Sequence, residues 1–103
     1  MEIVWHAHNA VVSDRLRARA ESGLVKLATR LNRTVTGTIR FEREVTRCRV
    51  ELMLHAARHK TLIAEGNARY YGPALTLALE HLETQVARER RTAKQRSARL
   101  ART

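Results

Sequence analysis

With 103 residues and a hydrophobic content of 44%, the chain can fold around one modest core, is too short for two, and is too apolar to read as disordered. Twenty Lys and Arg against ten Asp and Glu give a formal charge of +10 and a pI near 11.4, a balance that attracts nucleic acid or anionic membrane and repels basic proteins. The single cysteine, Cys48, excludes an intramolecular disulfide. No secretory signal is visible and no stretch approaches the ~20 apolar residues of a membrane span, so a cytoplasmic protein is expected.

Glu2 to His6 alternates, with Ile3 and Trp5 on one side, and reads as a short strand. After a connector from Asn9 to Val12, Ser13 suits a helix N-cap and Asp14 the first turn, where the helix dipole favours an anion. Leu16, Ala20, Leu24, Leu27 and Leu31 then fall on one stripe, which predicts a helix to about Leu31 closed by Asn32. At ~100° per residue its cations Arg15, Arg19, Lys26 and Arg30 share a band about 60° wide, with Asp14 and Glu21 on the opposite flank. Such sorting suits a polyanion-facing surface, and a plain solvated face is the competing reading.

Two alternating runs follow. Val35, Gly37, Ile39 and Phe41 oppose Thr36, Thr38, Arg40 and Glu42, and Cys48 to Ala56 repeats the pattern after a turn around Val45. They predict a hairpin with one apolar and one polar face, on which Glu42, Glu44 and Glu51 meet Arg40, Arg47 and Arg49. Lys60 to Glu65 reads as a further short strand, and Gly66 to Gly72 as a loop carrying Arg69, Tyr70 and Tyr71. One tyrosine stacks on a base, or one packs under the next helix while the other is exposed.

Pro73 is expected as the first residue of a long second helix reaching Leu100. Leu75, Leu79, Leu82 and Val86 form its buried stripe. Beyond Val86 the stripe gives way to Arg88, Arg90, Arg91, Lys94, Arg96, Arg99 and Arg102. Residues 88–103 hold seven of the twenty basic residues and one acid, six of the ten net charges. The order is β-α-β-β-β-α, an α+β fold with a four-stranded sheet covered on one face by two helices. One domain over residues 1–100 is expected, with a basic helical extension from about 87 to 103.

Chemistry finds little footing in this sequence. His6, His8, His55, His59 and Cys48 show neither a Cys-x-x-Cys nor a His-Glu-x-x-His spacing, so no metal is expected, and Cys48 reads as a core thiol. No glycine-rich phosphate loop, Gly-x-Ser-x-Gly elbow or pair of carboxylates in a recognisable setting is present, so no catalytic residue, cofactor or small-molecule substrate is expected. The basic half of the second helix lacks the apolar face needed to enter lipid, so no membrane partner is expected.

The order of motifs resembles the ribosome hibernation promoting factor family, which includes the ribosome-associated inhibitor A proteins and was formerly called sigma-54 modulation proteins. The resemblance rests on Val12-Ser13-Asp14-Arg15-Leu16-Arg17 opening a helix that ends with Lys26-Leu27, on Val50-Glu51-Leu52-Met53-Leu54-His55, on Ala64-Glu65-Gly66, and on the basic end of the second helix. No single motif is specific; their sequence is. The resemblance implies a fold related to double-stranded RNA-binding domains. It also implies a non-enzymatic factor that binds 16S rRNA of the 30S subunit or 70S ribosome, in the mRNA and tRNA channel, and silences translation in stressed or stationary cells.

The RNA-binding residues carried over by position are Arg15, Arg19, Lys26 and Arg30 on the first helix and Arg88, Arg90, Arg91 and Lys94 on the second, with Arg69 and Arg96 added as adjoining cations and Tyr70 or Tyr71 for stacking. The chain departs from the family in reading Ala68-Arg69-Tyr70-Tyr71-Gly72-Pro73 where Asp-Met-Tyr is usual, which leaves open which tyrosine matches. It resembles a short form without the C-terminal dimerising domain, expected to be monomeric off the ribosome. The alternatives are a general structured-RNA-binding or RNA-chaperone domain and a protein-interaction adaptor.

Overall fold

The computed structural model describes residues 1–31, 34–56 and 60–101. Expectations for Asn32, Arg58, His59 and Arg102, and for the side chain of Val35, lie outside the described residues. Six elements follow in the expected order: β1 (Glu2–His8), α1 (Asp14–Ala28), β2 (Thr34–Arg43), β3 (Cys48–Ala56), β4 (Leu62–Ala68) and α2 (Tyr71–Ala101). The sheet order is β1-β2-β3-β4, with β1 parallel to β2 and the other neighbours antiparallel.

Alternation sorts the strands into two faces. Ile39, Phe41, Val50, Leu52, Leu54, Leu62 and Ala64 point to the helices and are buried. Against them α1 lays Ala20, Leu24 and Leu27, and α2 lays Ala74, Leu75, Ala78, Leu82 and Val86. Cys48 is buried on this face, as its position in the alternation implies. No charged residue is buried among the described residues.

Local chemistry sets most of the element ends. Asn9 takes φ 52° just after β1, a left-handed conformation that asparagine tolerates better than most residues. Ser13 caps α1 by accepting the Leu16 N–H at 3.2 Å. The α-helix ends at Ala28, earlier than the periodicity suggests, because the chain tightens into three-residue turns, Arg30 N–H to Leu27 and Leu31 N–H to Ala28. Leu31 still reaches the core, so the apolar stripe outlasts the helix.

Three expectations near β4 need correction. Gly66 lies inside β4, paired with Val50, and is no strand breaker. Its missing side chain serves a close approach: a Cβ there would strike the Ala74 carbonyl oxygen and sit 2.7 Å from the Ala78 nitrogen. The segment read as a loop over Gly66–Gly72 therefore shrinks to Arg69 and Tyr70, and α2 begins at Tyr71, with Pro73 third. Proline is harmless there because the first four helical N–H groups have no intrahelical partner. Leu79 is half-buried and meets Gly23 of α1, where the stripe had placed it fully in the core.

Candidate nucleic-acid interface

Helices α1 and α2 lie side by side, and two cations of α1 bridge their seam. Arg19 donates to the Gly72 carbonyl at 3.2 Å and to the Thr76 hydroxyl, and Arg30 pairs with Glu83 at 3.4 Å. Two of the four sequence-predicted residues thus also tie one helix to the other. Arg15 and Lys26, exposed on the same band, make no ion pair among the described residues. The Arg30–Glu83 pair is roughly half exposed on both sides, which leaves its guanidinium within reach of another anion.

The cations of α2 begin where its burial ends. Among the described residues Val86 is the last fully buried one, and Arg88, Arg90, Arg91, Lys94 and Arg96 are exposed beyond it. They form two groups. Arg90 and Lys94 stand seven and eleven residues after Glu83, within about 20° of its direction at ~100° per residue, and so prolong the α1–α2 seam. Arg88 and Arg96 instead face β4, where they line a hollow of about 540 Å³ with Lys60, Thr61, Gln85, Glu89 and Thr92. Arg91 lies between the two groups, about 80° from the Glu83 direction at ~100° per residue.

Lys60 and Thr61 escaped the sequence reading. The alternation reads them as the start of a strand, yet β4 begins only at Leu62, and the packing of α2 across β4 brings them beside Arg88 and Arg96. The same packing has α2 clasp the edge of β4, with Gln85 donating to the Ile63 carbonyl at 2.7 Å and the His81 ring 2.8 Å from the Glu65 carbonyl. These side chains occupy carbonyls that an open edge strand would offer to another chain.

Arg69 and the tyrosines sit elsewhere, at the start of α2. Tyr71 is half-buried, its ring edge-on to Phe41 at 5.5 Å, and Phe41 in turn stacks on Trp5 at 6.2 Å. Burial, followed by the neighbouring Cys48 thiol, pushes the Tyr71 phenol above its ordinary value. Tyr70 is 65% exposed, with the Arg69 guanidinium 5.9 Å from its ring. Of the two, Tyr70 alone has a ring open to solvent.

The sheet face turned away from the helices has the opposite character. Arg49 bonds Glu65 at 2.8 Å and Glu51 at 2.9 Å, with Glu42 at 3.5 Å. The sequence had placed Glu42 and Glu51 there and had missed Glu65, which arrives on β4. The hydrogen bond from Arg49, and then its charge, hold the Glu65 carboxyl below the usual glutamate value. His6 and His8 also lie on this face, and among the described residues no three His, Cys, Asp or Glu side chains come together in a way that would hold a metal ion.

A four-stranded sheet with two helices on one face, and cations gathered along and beyond those helices, defines a small α+β domain with a cation-rich side. The family described as sigma 54 modulation protein / S30EA ribosomal protein matches residues 3–94, and the chain belongs to it. A ribosomal subunit interface protein from Coxiella burnetii shares the fold with a TM-score of 0.76 at 19% identity, over 85% of this chain and 96% of that one. The N-terminal domain of Protein Y from Thermus thermophilus gives 0.70 at 22% identity, over 85% and 98%. None of the curated proteins matches the sequence. No described helix is long and apolar enough to cross a membrane.

Proposed function

We propose that this protein is a non-enzymatic translation inhibitor that binds the 30S subunit, alone or within the 70S ribosome. The contact is with 16S rRNA in the channel used by mRNA and tRNA. Membership of the sigma 54 modulation / S30EA family and the likeness to a ribosomal subunit interface protein support a ribosomal partner. The observation that carries the reading is a continuous cationic track. It runs from Arg15 and Arg19 through Lys26 and Arg30 on α1, then along Arg90 and Lys94 where α2 outruns the core, while Arg88 and Arg96 add charge on the β4 side of the same helix.

Its mechanism is occupancy. Guanidinium and ammonium groups neutralise phosphates and release counterions, an affinity that does not depend on base sequence and weakens with salt. A scarcity of exposed aromatics suits recognition of structured RNA through shape and phosphates. Held in the channel, the domain excludes mRNA and tRNA by volume, the response expected of stressed or stationary cells.

Competition separates this reading from a general RNA-binding domain. Pre-bound to 30S subunits at low salt, the protein is expected to stay bound against a mass excess of free duplex RNA, and to be kept off subunits on which mRNA and initiator tRNA are loaded first. Equal displacement by free RNA would favour the general RNA-binding reading.

A further inference from the structure

A second cationic hollow lies at the start of α2, far from the basic end. It has a volume of about 420 Å³ and is walled by the β2–β3 turn (Arg43 to Arg47), by Cys48, and by Arg69, Tyr70 and Tyr71. Measured along α2, Tyr71 and Arg88 are ~25 Å apart at 1.5 Å per residue, so the hollow and the basic end of α2 are separate places.

Its electrostatics are unbalanced. Three guanidiniums, Arg43, Arg47 and Arg69, share the rim with one carboxylate, Glu44. Glu44 is taken by Arg47 at 2.7 Å. Arg43 and Arg69 make no ion pair among the described residues. Like charges gathered around a concavity repel one another, and an anion between them relieves that repulsion.

Two further features narrow the class of anion. The Tyr71 side chain is part of the wall, and its buried hydroxyl, beside the Cys48 thiol, has no hydrogen-bond partner among the described residues, whereas a buried hydroxyl ordinarily has one. A phosphate oxygen is a fitting acceptor for it. At the mouth, the exposed Tyr70 ring offers a face on which a base can stack, the usual means by which proteins hold unpaired nucleotides. The Cys48 thiol points its hydrogen at the Arg69 carbonyl at 3.5 Å and so fixes the backbone that carries Arg69.

We infer that this hollow is a nucleotide site: a phosphate sits between Arg43 and Arg69, within reach of the Tyr71 hydroxyl, and its base stacks on Tyr70. The phosphate belongs either to an unpaired nucleotide of an RNA strand or to a free mononucleotide. The site deepens the RNA-binding reading if the source is RNA, but its own chemistry does not depend on the helical track.

Titration of the full chain, followed by backbone amide NMR shifts, tests this with AMP and with a single-stranded RNA hexamer as separate probes. Shifts at residues 43–48 and 69–72 are expected with the hexamer, and Arg43→Gln with Arg69→Gln is expected to weaken them at least tenfold. Tyr70→Ala is expected to weaken the hexamer more than it weakens inorganic phosphate, a third probe. Saturation by AMP as tight as by the hexamer assigns the site to free nucleotides, and saturation by the hexamer alone assigns it to RNA.

The inference is overturned if all three probes leave these amides unmoved, or if the double variant, shown to be folded by its spectrum, binds as well as the parent. Co-sedimentation of the parent with 30S subunits is scored separately, so a chain that binds AMP in the hollow and ignores ribosomes would contradict the proposed function while leaving the site standing.

Discussion

Gly66 shows how one residue fixes the relation of a helix to a sheet. The backbone of α2 rests directly on it, with Ala78 N at 2.7 Å and Leu77 Cβ at 2.9 Å from where a Cβ would stand. Backbone cannot swing aside as a flexible side chain can, so Gly66→Ala should destabilise the fold by about 3 kcal/mol, at the upper end of overpacking effects. Gly72, with nothing within 4 Å of its Cβ position, is the control. Alanine there should be neutral or stabilising by up to about 1 kcal/mol, because it lowers the entropy of the unfolded chain. Urea midpoints of the two variants measure both effects. Glycine in the Ala64-Glu65-Gly66 motif reads from sequence as punctuation, because the helix residues that demand it, Ala74, Leu77 and Ala78, lie eight to twelve positions downstream.

Arg49 supplies the pH dependence at the same scale. Its bonds hold Glu65 below the ordinary value of 4.5. A lowered carboxylate pKa adds stability that is in place above 4.5 and is lost as pH falls through the lower folded-state value. Arg49→Met leaves Glu42, Glu51 and Glu65 facing one another and should lower stability at pH 7 by about 1 kcal/mol, the upper range for such exposed pairs. That difference should narrow between pH 7 and pH 3, as the fall in pH protonates Glu65. Denaturant titrations of both chains at the two pH values check it, and a gap unchanged at pH 3 would place the effect in packing of the arginine stem.

Among the elements, the helices were the most legible and their mutual arrangement the least. Ser13, the leucine stripe and the break after Val86 announce α1 and α2 from local spacing alone. The pairings Arg19 with Gly72 and Thr76, and Arg30 with Glu83, span more than fifty residues, and periodicity carries no such information. Nor could it place Lys60 beside Arg88, or turn Tyr71 inward onto Phe41. This division of labour sets the expected effect of charge reversal. Arg15→Glu with Lys26→Glu touches neither helix tie and should weaken ribosome binding at least tenfold with the melting temperature unchanged. Arg19→Glu with Arg30→Glu should weaken binding and also loosen the helix pair, which thermal unfolding of the isolated protein detects.

Taken whole, the molecule separates its charge by face. The open sheet surface carries Glu2, Glu42, Glu51 and Glu65 against Arg40 and Arg49, as the strand registers place them, so it is net acidic in a chain of charge +10. The helical side and the free end of α2 hold the cations. Such a separation would turn the helical side towards any polyanion the molecule approaches. The elongated body, 55 × 23 × 18 Å, carries that track along its length. Composition disclosed the excess of positive charge, and the alternation within each strand disclosed a polar face. That the acids of three strands converge on one arginine required the sheet order.

The central claim is a phosphate-reading track of cations along the helices. Binding of the protein to 30S subunits across a range of salt concentrations tests it most directly. Affinity should be measurable at low salt and fall linearly in a log–log plot, and the slope should drop by about 1 for each of Arg15, Lys26, Arg90 and Lys94 replaced by glutamine. Binding that is indifferent to salt, slopes unchanged by these replacements, or no binding at low salt would contradict the account.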